Sequence, residues 1–166
     1  MTHPLRIRPA DAADLEQIVR VQVAAMVASE YYDDSDLDSS FDRLKPRIVG
    51  YFNRTYHPGF AEAARTIIVA DCGEIVGFAA GHASSRLGCN AELQWMFVPP
   101  ARQRQGIGSA LLAALARWFE RIGRTHVIVD CPPANPSRAF YLNHGALPLD
   151  AHWLHWPHIA QAEAAR

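Results

Sequence analysis

Between residues 98 and 112 the chain reads VPPARQRQGIGSALL, and the spacing Gln103-x-x-Gly106-x-Gly108 directly ahead of an alanine- and leucine-rich helix makes a cradle for phosphate. The leading backbone N–H groups of a helix have no carbonyl partner within it, so they point outward as free donors. The helix dipole strengthens their pull on an anion. Gly106 and Gly108 lack a Cβ, which lets a pyrophosphate come close to the backbone and lets the chain turn sharply. The N–H groups from Arg104 through Gln105 and Ile107 to Ser109 complete the cradle, and Arg102 and Arg104 set positive charge beside it.

Paired glycines also occur in ordinary turns, so the flanks decide. Residues 91–98 (AELQWMFV) read as a strand, and residues 109–122 place Leu111, Leu112, Leu115, Phe119 and Ile122 at helical spacing before Gly123 ends the helix. A dinucleotide fingerprint fails because Leu111 stands where its third glycine belongs. A Walker loop fails because the chain has no Gly-Lys pair.

The elements that must hold this cradle are legible along the rest of the chain. Residues 5–8 read as a first strand; Asp11 with Asp14 reads as a capping box, and Leu15, Ile18, Val19, Gln22 and Met26 share one side of a first helix. Phe41, Leu44, Ile48 and Phe52 recur at the spacing of a second helix, with Pro46 expected near its start or at a kink. Residues 66–70 and 75–80 form a predicted hairpin whose Gly73 takes a positive φ. Residues 127–130 (VIVD) are expected as a buried strand beside 91–98, and 147–149 with 153–156 as a final hairpin. The pattern implies one mixed α/β sheet with helices on both faces.

The cradle, Gln103-Arg104-Gln105-Gly106-Ile107-Gly108, resembles motif A of the GNAT superfamily of acyl-CoA-dependent N-acetyltransferases. A second segment, Asn135-Pro136-Ser137-Arg138-Ala139-Phe140-Tyr141 ending at Gly145, resembles the superfamily's motif B, and Ile7-Arg8-Pro9-Ala10 with Asp14-Leu15 resembles the opening of many members. The similarity runs from about residue 5 to about residue 149 in the family's order. Two departures stand out: Arg104 replaces a common loop glycine, and Ala146 replaces the phenylalanine usual after Gly145. The resemblance implies an α/β (α+β) acyl-CoA N-acyltransferase fold in a single domain spanning residues 1–166, its central sheet mixed and mostly antiparallel.

It also implies a chemistry, the transfer of acetyl from acetyl-CoA to an amine. That reaction needs a bound donor, a neutral amine, a polarised carbonyl and a proton for the departing thiolate. The pyrophosphate is expected on residues 103–109, and the pantetheine arm on backbone near Phe97 and Val98. Tyr141 matches the family's general acid, with a core aromatic as the plainer alternative. Asn135 matches a cofactor-contacting asparagine and equally suits a helix cap. For the base, Glu92 on the strand entering the cradle stands ahead of Asp130 at the neighbouring strand's end; each has the plainer reading of an ion-paired carboxylate, and a water chain remains a third option. Tyr31, Tyr32, Asp33 and Asp34 lie in an acidic loop that the resemblance places over the acceptor, where they would favour a small cationic amine; a solvated loop is the bland reading.

Bulk properties set the remaining expectations. With 166 residues, 49% of them hydrophobic and 20% charged, the chain suits one globular domain, and a net charge of −1 gives no reason to expect nucleic acid. Lacking an apolar leader or a membrane-length apolar run, it is expected in the cytoplasm. Cys72, Cys89 and Cys131 are read as reduced thiols, and their wide spacing argues against a cysteine zinc site. The His152, His155 and His158 repeat is interleaved with Trp153, Trp156 and Pro157, so an aromatic surface, pairing across a homodimer, is expected there and no metal. The expected function is acetyl transfer by direct attack in a ternary complex, without an acyl-Cys131 intermediate. Rivals are a protein or peptide acetyltransferase acting on lysines or N-termini, and a non-catalytic acyl-CoA-binding regulatory domain.

Overall fold

The computed structural model describes residues 3–29, 31, 37–55 and 63–164. Seven strands form one sheet: β1 (Arg6–Pro9), β2 (Arg65–Asp71), β3 (Ile75–Ala83), β4 (Ala91–Phe97), β5 (Val127–Asp130), β6 (Leu147–Pro148) and β7 (Trp153–Trp156), in the order β1-β2-β3-β4-β5-β7-β6. Every neighbouring pair is antiparallel except β4 and β5, which run parallel. The helices are α1 (Leu15–Val27), α2 (Leu37–Phe52), α3 (Ile107–Arg121), α4 (Arg138–Asn143) and α5 (Gln161–Ala164).

Strand β2 shows how the sequence makes two cores from one sheet. Successive side chains on a strand point to opposite faces. Accordingly Ile67 and Val69 join a cluster with Ile18, Val19, Leu44 and Ile48 of α1 and α2, whereas Ile68 and Ala70 join a cluster with Leu111, Leu112, Leu115 and Phe119 of α3. The second core is tight because β3 presents glycines to α3. A Cβ on Gly81 would lie 2.5 Å from Phe119 Cζ, and one on Gly77 3.1 to 3.2 Å from Ile107, Leu111 and Val98.

The start of the chain is fastened by charge. Arg8 donates through both terminal nitrogens to Asp14, at 2.7 and 2.9 Å, and through Nε and Nη2 to Asp71 at 3.0 and 2.9 Å. Asp11 and Asp14 form the expected capping box. These contacts tie β1, the entry to α1 and β2 into one unit.

Three expectations change. Pro46 sits well inside α2, which continues through it, although the ring removes a backbone donor there. The segment expected to face a second subunit is internal: β7 is paired on both edges, by β5 and β6, and Leu154 and Trp156 are fully buried in the α3 core. The alternation of hydrophobic residues in β7 therefore records an internal strand. Finally, the regular pleat expected through Glu92 and Gln94 is broken, because Gly81 pairs with Leu93 and Ala80 with Trp95, leaving Gln94 as an extra residue.

Candidate active site

That bulge lies where β4 parts from its parallel neighbour. β5 pairs with β4 only at Ala91, Glu92 and Leu93; beyond that, the Cys131 amide turns to the His152 carbonyl instead. From Gln94 onward one edge of β4 has no strand beside it, and the sheet opens into a cleft. The backbone near Phe97 and Val98 borders this cleft, as expected of a surface that would pair with an extended amide-bearing ligand.

Helix α3 begins at the mouth of the opening. Its N-cap is Gly106 at φ 79°, a left-handed conformation that disfavours any side chain, and no side chain among the described residues caps the helix. The first intrahelical partner is the Ala110 amide, on the Gly106 carbonyl at 3.0 Å, so the N–H groups ahead of it remain directed outward. The space over Gly106 is open: a Cβ there would meet nothing within 4 Å.

The cleft has a volume of about 470 Å³ and is lined by Phe97, Val98, Gln103, Arg104, Gly106, Ile107, Gly108, Ser109 and Asn135, nine of the eleven residues expected to hold the cofactor. Several have more definite tasks than sequence reading assigned. Gln103 donates its side-chain amide to the Val98 carbonyl at 2.9 Å, closing the turn. Arg104, standing where a glycine is common, takes a left-handed φ of 61°. Arg102 is engaged with Glu74 at 2.6 Å, which partly offsets its charge. Gly108 is small chiefly for packing, since a Cβ there would lie 3.3 Å from the Phe140 ring. Asn135 accepts from the Ser137 amide at 2.8 Å, which orders the approach to α4, and it also faces the cleft.

Two expected members stand outside this lining. Gln105 turns back to the Ala101 carbonyl at 3.2 Å. Tyr141 is 4% exposed and packs edge-on against Trp156 and Phe140, beside the cleft wall. In its place the cleft presents His144, which sequence reading passed over. Its Nδ1 lies 2.8 Å from the Phe140 carbonyl, an acceptor only, so Nδ1 carries the proton and Nε2 accepts from the Ser109 hydroxyl at 3.0 Å. His144 thus orients a hydroxyl in the first turn of α3. Only the i, i+4 spacing from Phe140 hinted at this.

Further back along β4 a second cavity of about 350 Å³ gathers Glu92 and Asp130 with Tyr51, Arg65, His82, Arg86, Trp95 and Trp153. Both proposed bases therefore share one chamber. Asp130 is exposed, whereas Glu92 is 5% exposed, with Oε2 3.3 Å from Arg86 Nε and 3.7 Å from His82 Nε2. Burial pushes the Glu92 carboxyl above its usual range, against the pull of Arg86, and the charge of Asp130 pushes it the same way. Tyr51 packs at a tilt against Trp95, 5.0 Å between centroids, and its hydroxyl lies in hydrogen-bond contact with His82 Nδ1 at 3.0 Å. Arg65 lies over the Tyr51 ring and Arg86 over Trp153. Of the acidic loop, Tyr31 is exposed; Tyr32, Asp33 and Asp34 fall outside the described residues.

Cys131 is fully buried, and desolvation raises its thiol pKa to about 11, so little thiolate forms near neutrality. The three cysteines are free thiols.

With the open edge of β4 and the uncapped α3 at its end, this is the architecture of an acyltransferase of the GNAT type. The sequence profile of the acetyltransferase (GNAT) family matches residues 25–146, and the chain belongs to that family. No curated protein matches the chain closely enough to report. Among solved structures, the paia N-acetyltransferase of Thermoplasma acidophilum in complex with coenzyme A is 16% identical, with a TM-score of 0.71 over 92% of this chain and 97% of that one. A GNAT acetyltransferase of Brucella melitensis in complex with acetyl-CoA is 21% identical, with a TM-score of 0.63 over 93% and 88%. An acetyltransferase of the family from Staphylococcus aureus is 15% identical, with a TM-score of 0.69 over 92% and 98%. No helix among the described residues is long and apolar enough to cross a membrane.

Proposed function

We propose that the protein transfers acetyl from acetyl-CoA to the primary amine of a small molecule, by direct attack within a ternary complex. The observation that carries this reading is the placement of two cavities along β4, one lined by Met96 to Val98 and the other by Glu92 to Trp95. One is a cleft at an uncapped helix N-terminus; the other is a chamber of about 350 Å³ holding a buried carboxylate. Coenzyme A bound in the similar structure from Thermoplasma and acetyl-CoA in that from Brucella support assigning the first to the donor. In this reading the diphosphate rests on the N–H groups of Gly106 to Ser109, and the pantetheine pairs with β4 near Phe97 and Val98.

The amine enters from the second cavity. Its aromatic walls and the Glu92 and Asp130 carboxylates suit a cationic group. Glu92, its proton affinity raised by burial, takes a proton from the ammonium and leaves a neutral nucleophile. The amine attacks the thioester carbonyl, whose oxygen accepts from β4 backbone, and the departing thiolate takes a proton from Tyr141. The high Cys131 pKa and its burial favour this single displacement over an acyl-enzyme.

Incubating the protein with acetyl-CoA and parallel panels of free amines and peptides, and following thiol release, tests the reading. Release with a free polyamine or amino sugar and none with peptides is expected. Release with peptides alone would transfer the assignment to protein acetylation, and coenzyme A binding without release on either panel would leave a regulatory binding domain.

A further inference from the structure

The geometry points to a second site, at the far end of the sheet: we propose that Cys89, His126 and His155 bind a zinc-class divalent cation. Cys89 lies just before β4, His126 just before β5, and His155 in β7 opposite Ile128. All three meet at the amino-terminal end of the parallel pair. The acyl-donor cleft is at the other end of β4, about 20 Å away at the rise of a strand.

One ligand atom from each of the three residues lies within 4.8 Å of the others. His126 Nε2 is 3.3 Å from Cys89 Sγ and 2.9 Å from His155 Nδ1. A ring nitrogen has one in-plane position, occupied either by a lone pair or by a proton. Two polar neighbours crowd that single position on His126, and a proton there satisfies only one of them well. A cation between the three atoms would satisfy them all. Zinc takes nitrogen at about 2.0 Å and sulfur at about 2.3 Å in a tetrahedron, whose edges run to about 3.5 Å, close to the 3.3 and 2.9 Å that separate His126 Nε2 from its two neighbours.

The donor set selects the ion. One thiolate and two imidazoles suit a borderline-soft cation such as zinc and disfavour magnesium or calcium. Cys89 is buried while the two imidazoles are half-buried, so the fourth position opens toward solvent and would hold water. On binding, the Cys89 thiol loses its proton to solvent and a sulfur–metal bond forms, with no change of oxidation state. The frame is stiff: the His126 amide donates to Asn90 Oδ1 at 3.0 Å, and the Asn90 and Ala91 amides donate to the His126 carbonyl. This inference departs from the sequence expectation of no metal. That expectation weighed the His152, His155 and His158 repeat, whereas the three ligands lie on separate segments that only the sheet order brings together.

Cobalt(II) substitution tests it. Protein stripped with a chelator and titrated with cobalt chloride is expected to develop a thiolate-to-cobalt charge-transfer band at one equivalent, displaced by zinc. The band should vanish in Cys89→Ser, and zinc affinity should fall about tenfold or more in His155→Ala, both variants keeping the far-ultraviolet circular dichroism spectrum of the unmodified protein as the sign of a folded chain. Absence of a charge-transfer band in the unmodified, folded protein would overturn the proposal, as would an unchanged band in Cys89→Ser. The readouts need no acetyltransferase activity, so they stand apart from the reading of the catalytic site.

Discussion

The proposed mechanism rests on Glu92 more than on its neighbours because it combines burial with a place on the strand that leads to the donor cleft. A carboxyl whose pKa is raised binds its proton more tightly, so as a base it works only above that raised value. kcat/KM is therefore expected to fall as pH drops, with a midpoint above the ~4.3 of an ordinary glutamate. Glu92→Gln should lower kcat about 100-fold or more and erase that limb, read from pH–rate profiles. Asp130→Asn should leave the limb in place, though shifted down, because one negative neighbour is gone. At Tyr141 the expected result is a split: Tyr141→Phe lowers kcat while the dissociation constant for coenzyme A, measured by calorimetry, stays put. The lining of the cleft could be read from sequence because the turn and the helix start that form it depend on backbone and local spacing. Glu92 could be put ahead of Asp130 only for its place on the strand, since the burial and the Arg86 and Asp130 charges that set its proton affinity come from other elements. His144 and the Tyr51–His82 pair were invisible for the same reason.

At the level of elements, α3 does two jobs, and they pull on different residues. Its N-terminus is uncapped, and its apolar face lies so close to β3 that a methyl group on Gly81 would clash with Phe119 and one on Gly77 would crowd Ile107 and Leu111. Gly81→Ala is expected to cost about 1–3 kcal/mol in denaturant unfolding, since the Phe119 ring must give way. Phe119→Ala should cost about 3–5 kcal/mol through the cavity it leaves. The helices and most strands were legible because apolar periodicity is a property of neighbours in sequence. Two features of the sheet were not. The bulge at Gln94 depends on pairing with β3, and the interior position of β7 depends on strand order, so its tryptophans looked like a surface. Pro46 misled for a related reason, because tertiary burial of Leu44 and Ile48 keeps α2 intact across a poor helix former.

The molecule as a whole is fastened at the β1 edge of the sheet by the Arg8 network and opened in the middle of the sheet by the parting of β4 and β5. Hydrogen bonds from Arg8 hold the Asp14 carboxyl below its usual range, and the Gly73 amide with Arg8 does so for Asp71. A depressed carboxylate contributes stability that is present above its unfolded pKa and lost as pH falls through the lower folded value. Stability is thus expected to decline below about pH 4, and Arg8→Met should flatten that decline while costing about 1–2 kcal/mol at neutral pH, solvent screening included. At that opening stands the claim on which the functional account depends: free amide groups at the start of α3 hold the diphosphate of coenzyme A. Calorimetric titration of coenzyme A into the protein and into Gly106→Val, in which a branched side chain must occupy a left-handed turn, tests it most directly. One-to-one binding that weakens about tenfold or more in the folded variant is the result predicted. No heat of binding to the unmodified protein, or equal affinity in the variant, would contradict it.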